Sequence, residues 1–392
     1  MNVGKTVFSQ LTDHIDEYVF KSIVKKQRGD FRVRHFSCWE QFLCMLFAQL
    51  TGRDSLRDIE TCLRAVGNKL YHSGIRSRIS RSTLAEANET RPWQIYHDFA
   101  MHLIREARSL YHTEKLFADI STAIYAFDST TIDLCLTLFP WAHAAAYQKT
   151  NAAVKVHTLF EVQQKIPTFI RVSAARAHDV NFMDALIYEP GAFYIFDRGY
   201  IDFSRLYRID QGKAFFVIRA KQSLRFTRIE SMSVDKSTGI LVDQRIKLKI
   251  FYSVQSYPDQ LRRIKYYDAT HDQNYVYLTN NFHLDSLTIA NLYRARWEIE
   301  TFFKWIKQHL RIRSFFGTSP NAVKTQIWIA VSTYVLIAII RKRLHIDDSL
   351  YTILQILSIS LFEKVQLNQL LTDTQTHFFM SQSANQLNLF DF

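Results

Sequence analysis

Glycine and proline are scarce in this chain, 10 and 6 in 392 residues, and no stretch is of low complexity. That scarcity excludes a collagen-like or linker-dominated protein. It leaves an ordered globular one, long enough for two or three domains and a large core. Cysteine is rarer still. Cys38, Cys44, Cys62 and Cys135 show no CxxC spacing and no paired histidines. Neither a disulfide scaffold nor a zinc site is expected, and the thiols should be reduced and mostly buried, as in a cytosol. Long apolar runs are missing too. The longest, 327–340, contains Ser332 and Thr333, and is shorter than the roughly 20 residues a membrane span needs. A buried core helix is expected there. The opening residues lack a basic-then-apolar signal layout. Acids are outnumbered, 37 against 49 Lys and Arg, for a net charge of +12 and a pI near 9.4. The expected partner is a polyanion; an anionic membrane is the rival, and the missing signal layout and span count against it.

What is present centres on YRARWEIETFFKWIK, residues 293–307. On a helix at about 100° per residue, Tyr293, Arg296, Glu300 and Lys307 share an arc of roughly 60°, and Lys304 joins them. Leu292, Ala295, Ile299, Phe302, Phe303, Ile306 and Leu310 form the opposite, core-facing side. A solvated charged face with i,i+4 pairs would explain many such helices. Here one carboxylate, Glu300, stands among Arg296, Lys304 and Lys307. That face suits a metal-binding acid with phosphate-holding neighbours.

The spacing Tyr-x2-Arg-x3-Glu-x6-Lys resembles the YREK signature of bacterial insertion-sequence transposases, the insertion-sequence-4 family of the DDE transposases. The resemblance implies that Glu300 is the last member of an Asp-Asp-Glu triad, with two acids upstream on strands. From Ala123 the texture does turn to short β-branched and aromatic runs. AIYAFDSTTIDL carries Asp128. AVKVHTLFEV and IPTFIRVSAA follow, with a turn at Gln163–Lys165. A helical stretch is predicted at 180–188, then a buried strand at 192–196 ending at Asp197 in DRGY. FSRLYRI reads as a helix and KAFFVIRA as a strand. This is the order of a ribonuclease-H-like core. Asp197 follows Asp128 by 69 residues, and Glu300 follows by 103 more. Alone, Asp128 before Ser-Thr-Thr and Asp197 before Arg-Gly read as turn residues. With the signature they read as catalytic metal ligands. Such a triad takes two Mg²⁺ ions about 3.5–4 Å apart, Mn²⁺ substituting. Asp133, Asp202, Asp210 and Asp268 are less well placed. Asp179 reads as a helix cap, and His143 and His157 as core or surface histidines. Arg198, Tyr293, Arg296, Lys304 and Lys307 are the expected phosphate-holders near the triad. Arg296 and Lys307 could instead pair with Glu298 or other acids.

Residues up to about 115 read as helical. One helix carries Trp39, Phe42, Leu43, Leu46, Phe47 and Leu50 and stops at Thr51-Gly52. A second runs from Ser55 to Val66 and stops at Gly67-Asn68. A third is entered through Arg76, Arg78 and Arg81, with Ser82 or Thr83 as its cap. A plain bundle with a basic loop and a helix-turn-helix-like DNA reader both fit. SRSTLAEANETRPW is similar to the end-binding region of the same transposases, which favours DNA and those three arginines. Between 222 and 282, basic and apolar residues alternate, as in solvent-facing strands. In some relatives an aromatic in such an insertion stacks on a flipped base. Trp is absent from it here, and Tyr275 is the candidate substitute. After Ser319-Pro320 a long helix is expected from Ala322 to about Leu344, then an amphipathic one in 349–371.

The expectation is an α/β protein: a ribonuclease-H-like catalytic core (119–221 and 283–345) interrupted by a β-rich insertion (222–282). An α-helical N-terminal DNA-binding region (1–118) and a helical C-terminal region with its tail (346–392) flank it. The implied activity is cleavage at transposon ends and transfer of the 3′ ends to target DNA. The implied setting is a homodimer on double-stranded DNA, in the bacterial cytoplasm and not on a membrane. A ribonuclease-H-like nuclease without strand transfer, or a repressor derived from a transposase, are the rivals.

Overall fold

The structure is a computed structural model that describes residues 4–76, 78–117, 120–135, 137–145, 148–175, 178–309 and 315–372. Leu310 and the last twenty residues lie outside the described residues. The chain divides into two compact units. One comprises residues 1–112 and 304–392, the other residues 113–303.

The first unit is helical. Its N-terminal part holds α1 (Val7–Thr12), α2 (Glu17–Lys26), α3 (Cys38–Leu50), α4 (Leu56–Ala65), α5 (Gly67–Leu70), α6 (Arg81–Thr90) and α7 (Gln94–Tyr111). α3 begins with a capping box in which Ser37 and Glu40 satisfy each other's backbone N–H. It ends at Thr51, with Gly52 at φ 62. Phe20, Trp39, Phe42 and Phe99 pack their rings together around it. α4 is bounded by its caps Ser55 and Val66, as expected, although a short α5 opens directly after it at Gly67. The next boundary differs. α6 is capped by Ser80, whose Oγ accepts from Thr83 N at 3.2 Å, so the helix starts at Arg81.

The second unit is an α/β layer built on one ten-stranded sheet. Its strands are β1 (Ile124–Cys135), β2 (His143–Ala145), β3 (Gln148–Glu161), β4 (Ile166–Ala174), β5 (Phe193–Phe196), β6 (Phe215–Arg219), β7 (Phe226–Met232), β8 (Ile240–Leu248), β9 (Leu261–Asp268) and β10 (Gln273–Thr279). Four helices accompany them: α8 (Phe203–Gln211), α9 (Phe251–Ser256), α10 (Ser286–Arg294) and α11 (Trp297–His309), the last of which runs on past residue 303. The order is β2-β3-β1-β5-β6-β10-β9-β8-β7, with β4 also on β3. β1, β5 and β6 are parallel, and β3 is antiparallel to β1. Alternation divides the faces. Tyr125 and Phe127 join Tyr194, Phe196, Phe216, Leu206 and Ile209 in one buried cluster, so α8 covers that side. Phe160 stands opposite Ala126 and meets Phe302 at 5.2 Å between ring centroids, so α11 covers the other. The stretch predicted as helical at 180–188 is a 3-10 helix, Asp179–Ala185.

The insertion is not a separate layer. β10 pairs with β6 through Tyr277↔Arg219 to Thr279↔Val217 and closes what would be an open sheet edge.

The helical unit is completed by α12 (Pro320–Arg343) and α13 (Leu350–Ser360). α12 is long and apolar enough to cross a membrane, but 94% of its apolar window is buried inside the fold. Tyr111 donates its hydroxyl to Ala338 O at 2.9 Å, and His97 stands edge-on to Trp328 at 4.6 Å. Asn321 donates to the carbonyls of Asn88 and Arg91 at 2.8 and 2.7 Å. The segment 304–345, expected to belong to the catalytic core, thus groups with α3 and α7. An all-round apolar helix needs partners on every side, and these helices supply them. Cys38 and Cys44 are buried, Cys62 half-buried and Cys135 exposed, all as free thiols.

Candidate active site

Asp128 follows four buried residues of β1, and Asp197 follows the last residue of β5. The parallel register pairs Phe127 with Phe196, so the two acids come next to each other at the same level of adjacent strands. Ser129 N donates to Asp128 Oδ1 at 2.8 Å. The third element is the junction of α10 and α11. Tyr293 ends a buried run of α10, Arg296 lies in the turn, and Glu300 is in the first turn of α11.

That junction brings the set together. Arg296 Nη1 donates to Asp128 Oδ2 at 2.9 Å, and Arg296 Nη2 donates to Glu300 Oε1. Tyr293 donates its hydroxyl to Asp197 Oδ1 at 3.3 Å. One guanidinium and one phenol therefore hold all three acids. Burial pushes the Asp128 carboxyl up to about 6; the Ser129 N–H and Arg296 pull against that, while Asp197 and Glu300 add to it. Burial also raises the Tyr293 phenol to about 12, so it stays a donor at neutral pH.

Residues 293–307 are not one continuous helix, as the spacing had suggested. Ala295 N reaches back four residues, but Arg296, Glu298 and Ile299 N reach back three, to Tyr293, Ala295 and Arg296. The tightening turns the chain at Arg296. Glu298 pairs with Lys165 at 3.0 Å, so it is not the partner of Arg296. Further along α11, Lys304 is exposed and Lys307 half-buried, both among residues grouped with the helical unit. Arg198 is exposed in the turn after Asp197. Arg76, Arg78 and Arg81 are exposed in the helical unit; Arg76 N donates to Glu40 Oε1 at 3.0 Å.

Tyr275 lies on an interior strand, not on an edge. Its ring is parallel to that of Tyr277 within 11° at 6.2 Å, with the Arg219 guanidinium 4.9 Å away. Tyr277 in turn meets Tyr293 at 4.7 Å. Neither Tyr277 nor Arg219 was expected at the site from the sequence. The period-two alternation of YVYL was the available signal, since it puts Tyr275 and Tyr277 on one face.

Four other acids have structural work. Asp202 caps α8. Asp210 accepts from Tyr257 at 2.6 Å, and Asp268 from His271 at 2.8 Å. Asp179, expected as a cap, instead pairs with Lys155 at 3.0 Å. The side chain of His143 lies outside those described. His157 is fully buried, stacked on Phe182 at 3.5 Å, with Nε2 2.9 Å from Ser173 Oγ. Burial lowers it to about 4, against the pull of Asp179 and with Lys155 and Arg171 adding to the fall. The unfolded chain binds that proton near pH 6.5 and the folded chain does not. The stability from this group is therefore whole above pH 6.5 and is lost as pH falls towards 4, roughly 3 kcal/mol in all. His157→Phe keeps a stacking ring without the titration. Its melting temperature should fall less steeply than the wild type between pH 6.5 and 4.

Three carboxylates are the oxygen donors a hard divalent cation takes, so the chemistry of Asp128, Asp197 and Glu300 fits such an ion. In this conformation a guanidinium stands between two of them. Among the described residues, no three Asp, Glu, His or Cys side chains form a ready metal cage.

Residues 120–336 match the family described as Transposase DDE domain. A Sinorhizobium fredii protein named as a transposase, y4zB, is 30% identical over 291 residues, covering 72% of this chain and 77% of its own. The chain belongs to the DDE-domain transposases. As a member, it is an enzyme that acts on DNA, in a family whose domains generally use divalent metal. The transposase is also 29% identical over 210 residues to one named for insertion sequence element IS5377 of Geobacillus stearothermophilus, covering 54% of each chain. It is 22% identical over 292 residues to one named for IS4SA of Synechocystis, covering 72% of this chain and 77% of that one. Residues 3–76 of the transposase match a domain of unknown function, DUF4372. Among solved structures, a piggyBac transposase synaptic complex with hairpin DNA aligns at a TM-score of 0.45 and 11% identity, over 96% of this chain and 82% of that one.

Proposed function

We propose that this transposase cuts DNA at the ends of an insertion sequence and joins the freed 3′ ends to target DNA, with Asp128, Asp197 and Glu300 as a two-metal DDE triad. We read it as a YREK-type member of the insertion-sequence-4 group, working as a homodimer on double-stranded DNA in a bacterial cytoplasm. The observation that carries this reading is the junction of α10 and α11. Its Tyr293 and Arg296 reach acids from two adjacent parallel strands and from α11 itself. The strand order around β1, with β3 antiparallel and β5 and β6 parallel, supports a ribonuclease-H-like core.

Two Mg²⁺ ions held by the carboxylates would supply an activated oxygen nucleophile and a stabilised leaving oxygen. The protein's own residues do the rest. The carboxylates fix where the reacting phosphate must sit. Arg296 can neither coordinate a cation nor lose its charge, so its fork is available for phosphate oxygens once the acids have another partner. Tyr293 donates one hydrogen bond, and the raised phenol keeps that proton in place. Arg198, Lys304 and Lys307 add charge for the strand on either side. Tyr275 offers a ring for a displaced base.

The test is a joining assay. A pre-cut end duplex, a target plasmid and Mg²⁺ or Mn²⁺ should yield joined products with the full chain. Cleavage of an uncut end duplex, with no joined product from the pre-cut one, would leave a nuclease on the same fold.

Arg76, Arg78 and Arg81 are proposed to hold the end DNA by its phosphates. Their combined replacement by alanine should flatten the salt dependence of end binding by roughly 3 in log–log slope, at about 0.9 for each phosphate no longer neutralised. A slope equal to wild type would remove that basic turn from the interface.

A further inference from the structure

The C-terminal end of α2 is a Schellman motif. Gly29 N bonds back to Val24 O at 2.9 Å, and Arg28 N to Lys25 O at 3.2 Å. The position that such a motif gives to glycine is filled by Arg28, at φ 55. The glycine comes one residue later for a different reason: a Cβ on Gly29 would lie 2.4 Å from Ile95 Cδ1 and 2.9 Å from Cys38 Sγ. Four residues on, Arg32 is also left-handed, at φ 61. A side chain in that region is uncommon and strained. Phe36, at φ 56, explains itself by burying its ring. Arg28 and Arg32 bury nothing, for both are exposed. Exposed left-handed residues occur elsewhere too, at Lys165, Lys213, Asp272 and His345; what sets Arg28 and Arg32 apart is that their guanidinium groups converge on one exposed ring.

The surroundings give that convergence a use. Phe31 is 58% exposed, with the Arg28 guanidinium 4.5 Å and that of Arg32 5.2 Å from its ring centroid. Arginine held by its flat face against a ring still presents N–H edges outward, the geometry that grips a phosphate. Arg34 and His35 are exposed beside them, and Lys25 and Lys26 end α2. The one acid in the loop is occupied, since Asp30 Oδ1 accepts from Cys38 N at 2.7 Å at the start of α3. Among the described residues, none of Arg28, Arg32 and Arg34 has an ion pair.

We propose that the loop 27–36 is a second phosphate-gripping contact to double-stranded DNA, apart from the Arg76 turn, made through Arg28, Phe31 and Arg32. It rests on the reading that this chain binds DNA, and on neither the triad nor the Arg76 turn.

The test replaces both left-handed arginines in the full chain, R28G/R32G, and measures binding of a fluorescent end duplex and a random duplex across a salt series, with a melting curve for each protein. Glycine relieves the strain, so the melting temperature should equal or exceed wild type. The log–log salt slope should fall by about 2, at 0.9 for each phosphate. The weakening should be alike on both duplexes, because phosphate contacts carry no sequence information. R28K/R32K keeps the charge and should keep most of the slope. Three results would overturn the proposal. One is an unchanged slope. Another is a lower melting temperature in R28G/R32G, which would make the arginines structural. The third is unchanged DNA binding with a shift from dimer to monomer in sedimentation, which would make the loop a contact between copies. The R76A/R78A/R81A variant in the same salt series reports on the other basic turn separately. A slope reduced there but kept in R28G/R32G sinks this loop alone.

Discussion

Strand cleavage should fall about a thousandfold or more when Asp128, Asp197 or Glu300 is replaced singly by alanine. Each acid comes from a different element, and the parallel register of β1 and β5 sets the two aspartates level. Among the described residues, several other acids are committed elsewhere. Asp202, Asp210 and Asp268 are held in caps and hydrogen bonds of their own. Losing one carboxylate would loosen the hold on the cations, whose stabilisation of transition-state charge is worth several kcal/mol, and about 1.4 kcal/mol is tenfold in rate. DNA binding should survive in all three, and at low salt should tighten slightly, because each substitution removes a negative charge facing a phosphate. Gel shift and plasmid cleavage on the same preparations read both effects. Near wild-type cleavage in any one variant would take that residue out of the triad.

Arg296 should show two losses that separate by condition. Its guanidinium bridges Asp128 and Glu300, and its side chain is only 16% exposed. Without metal, Arg296→Ala leaves two crowded carboxylates without their counter-charge. Loss of charge-assisted hydrogen bonds in a partly buried site costs roughly 2–3 kcal/mol. The metal-free melting temperature should therefore drop by several degrees. Millimolar Mg²⁺ or Mn²⁺ should recover much of it, since a cation that binds only the folded state stabilises that state. Cleavage should stay low even with metal present, because the phosphate fork is gone. Arg296→Lys restores the charge but not the two-pronged geometry, so it should recover stability better than cleavage. A structural arginine would behave otherwise: Arg296→Ala would melt early yet cut normally at a permissive temperature. Calorimetry with and without metal, paired with a map of cut positions, decides between them.

The strands that carry Asp128 and Asp197 were legible because their signals are local. Four apolar residues and then an acid read the same in the sequence and in the sheet. α3 was equally plain, with its apolar period from Trp39 to Leu50 and its stop at Thr51-Gly52. The break at Arg296 was not legible. The helical period continues through it almost in phase, and it shows in the three-residue reach of the Arg296, Glu298 and Ile299 N–H groups. Strand pairing across long loops was hidden as well. Nothing local in YVYLTNN says that Tyr277 will sit opposite Arg219. The apolar run at 327–340 announced a buried helix but not its partners, because an all-round apolar surface carries no direction.

That last helix sets an order of events during synthesis. α1 to α7 leave the ribosome some two hundred residues before α12, and the whole sheet unit is made in between. Until then, the faces of α3 and α7 that will receive Ile327 to Ile340 have nothing to cover them. Even the first helix waits for the far end of the chain, since Val7 N and Phe8 N bond to the carbonyls of Glu363 and Leu361. The N-terminal helices are thus half of a core that the gene completes last. A message cut short before residue 320 would make these helices with no α12 to bury them, and exposed apolar surface of that kind is prone to aggregate.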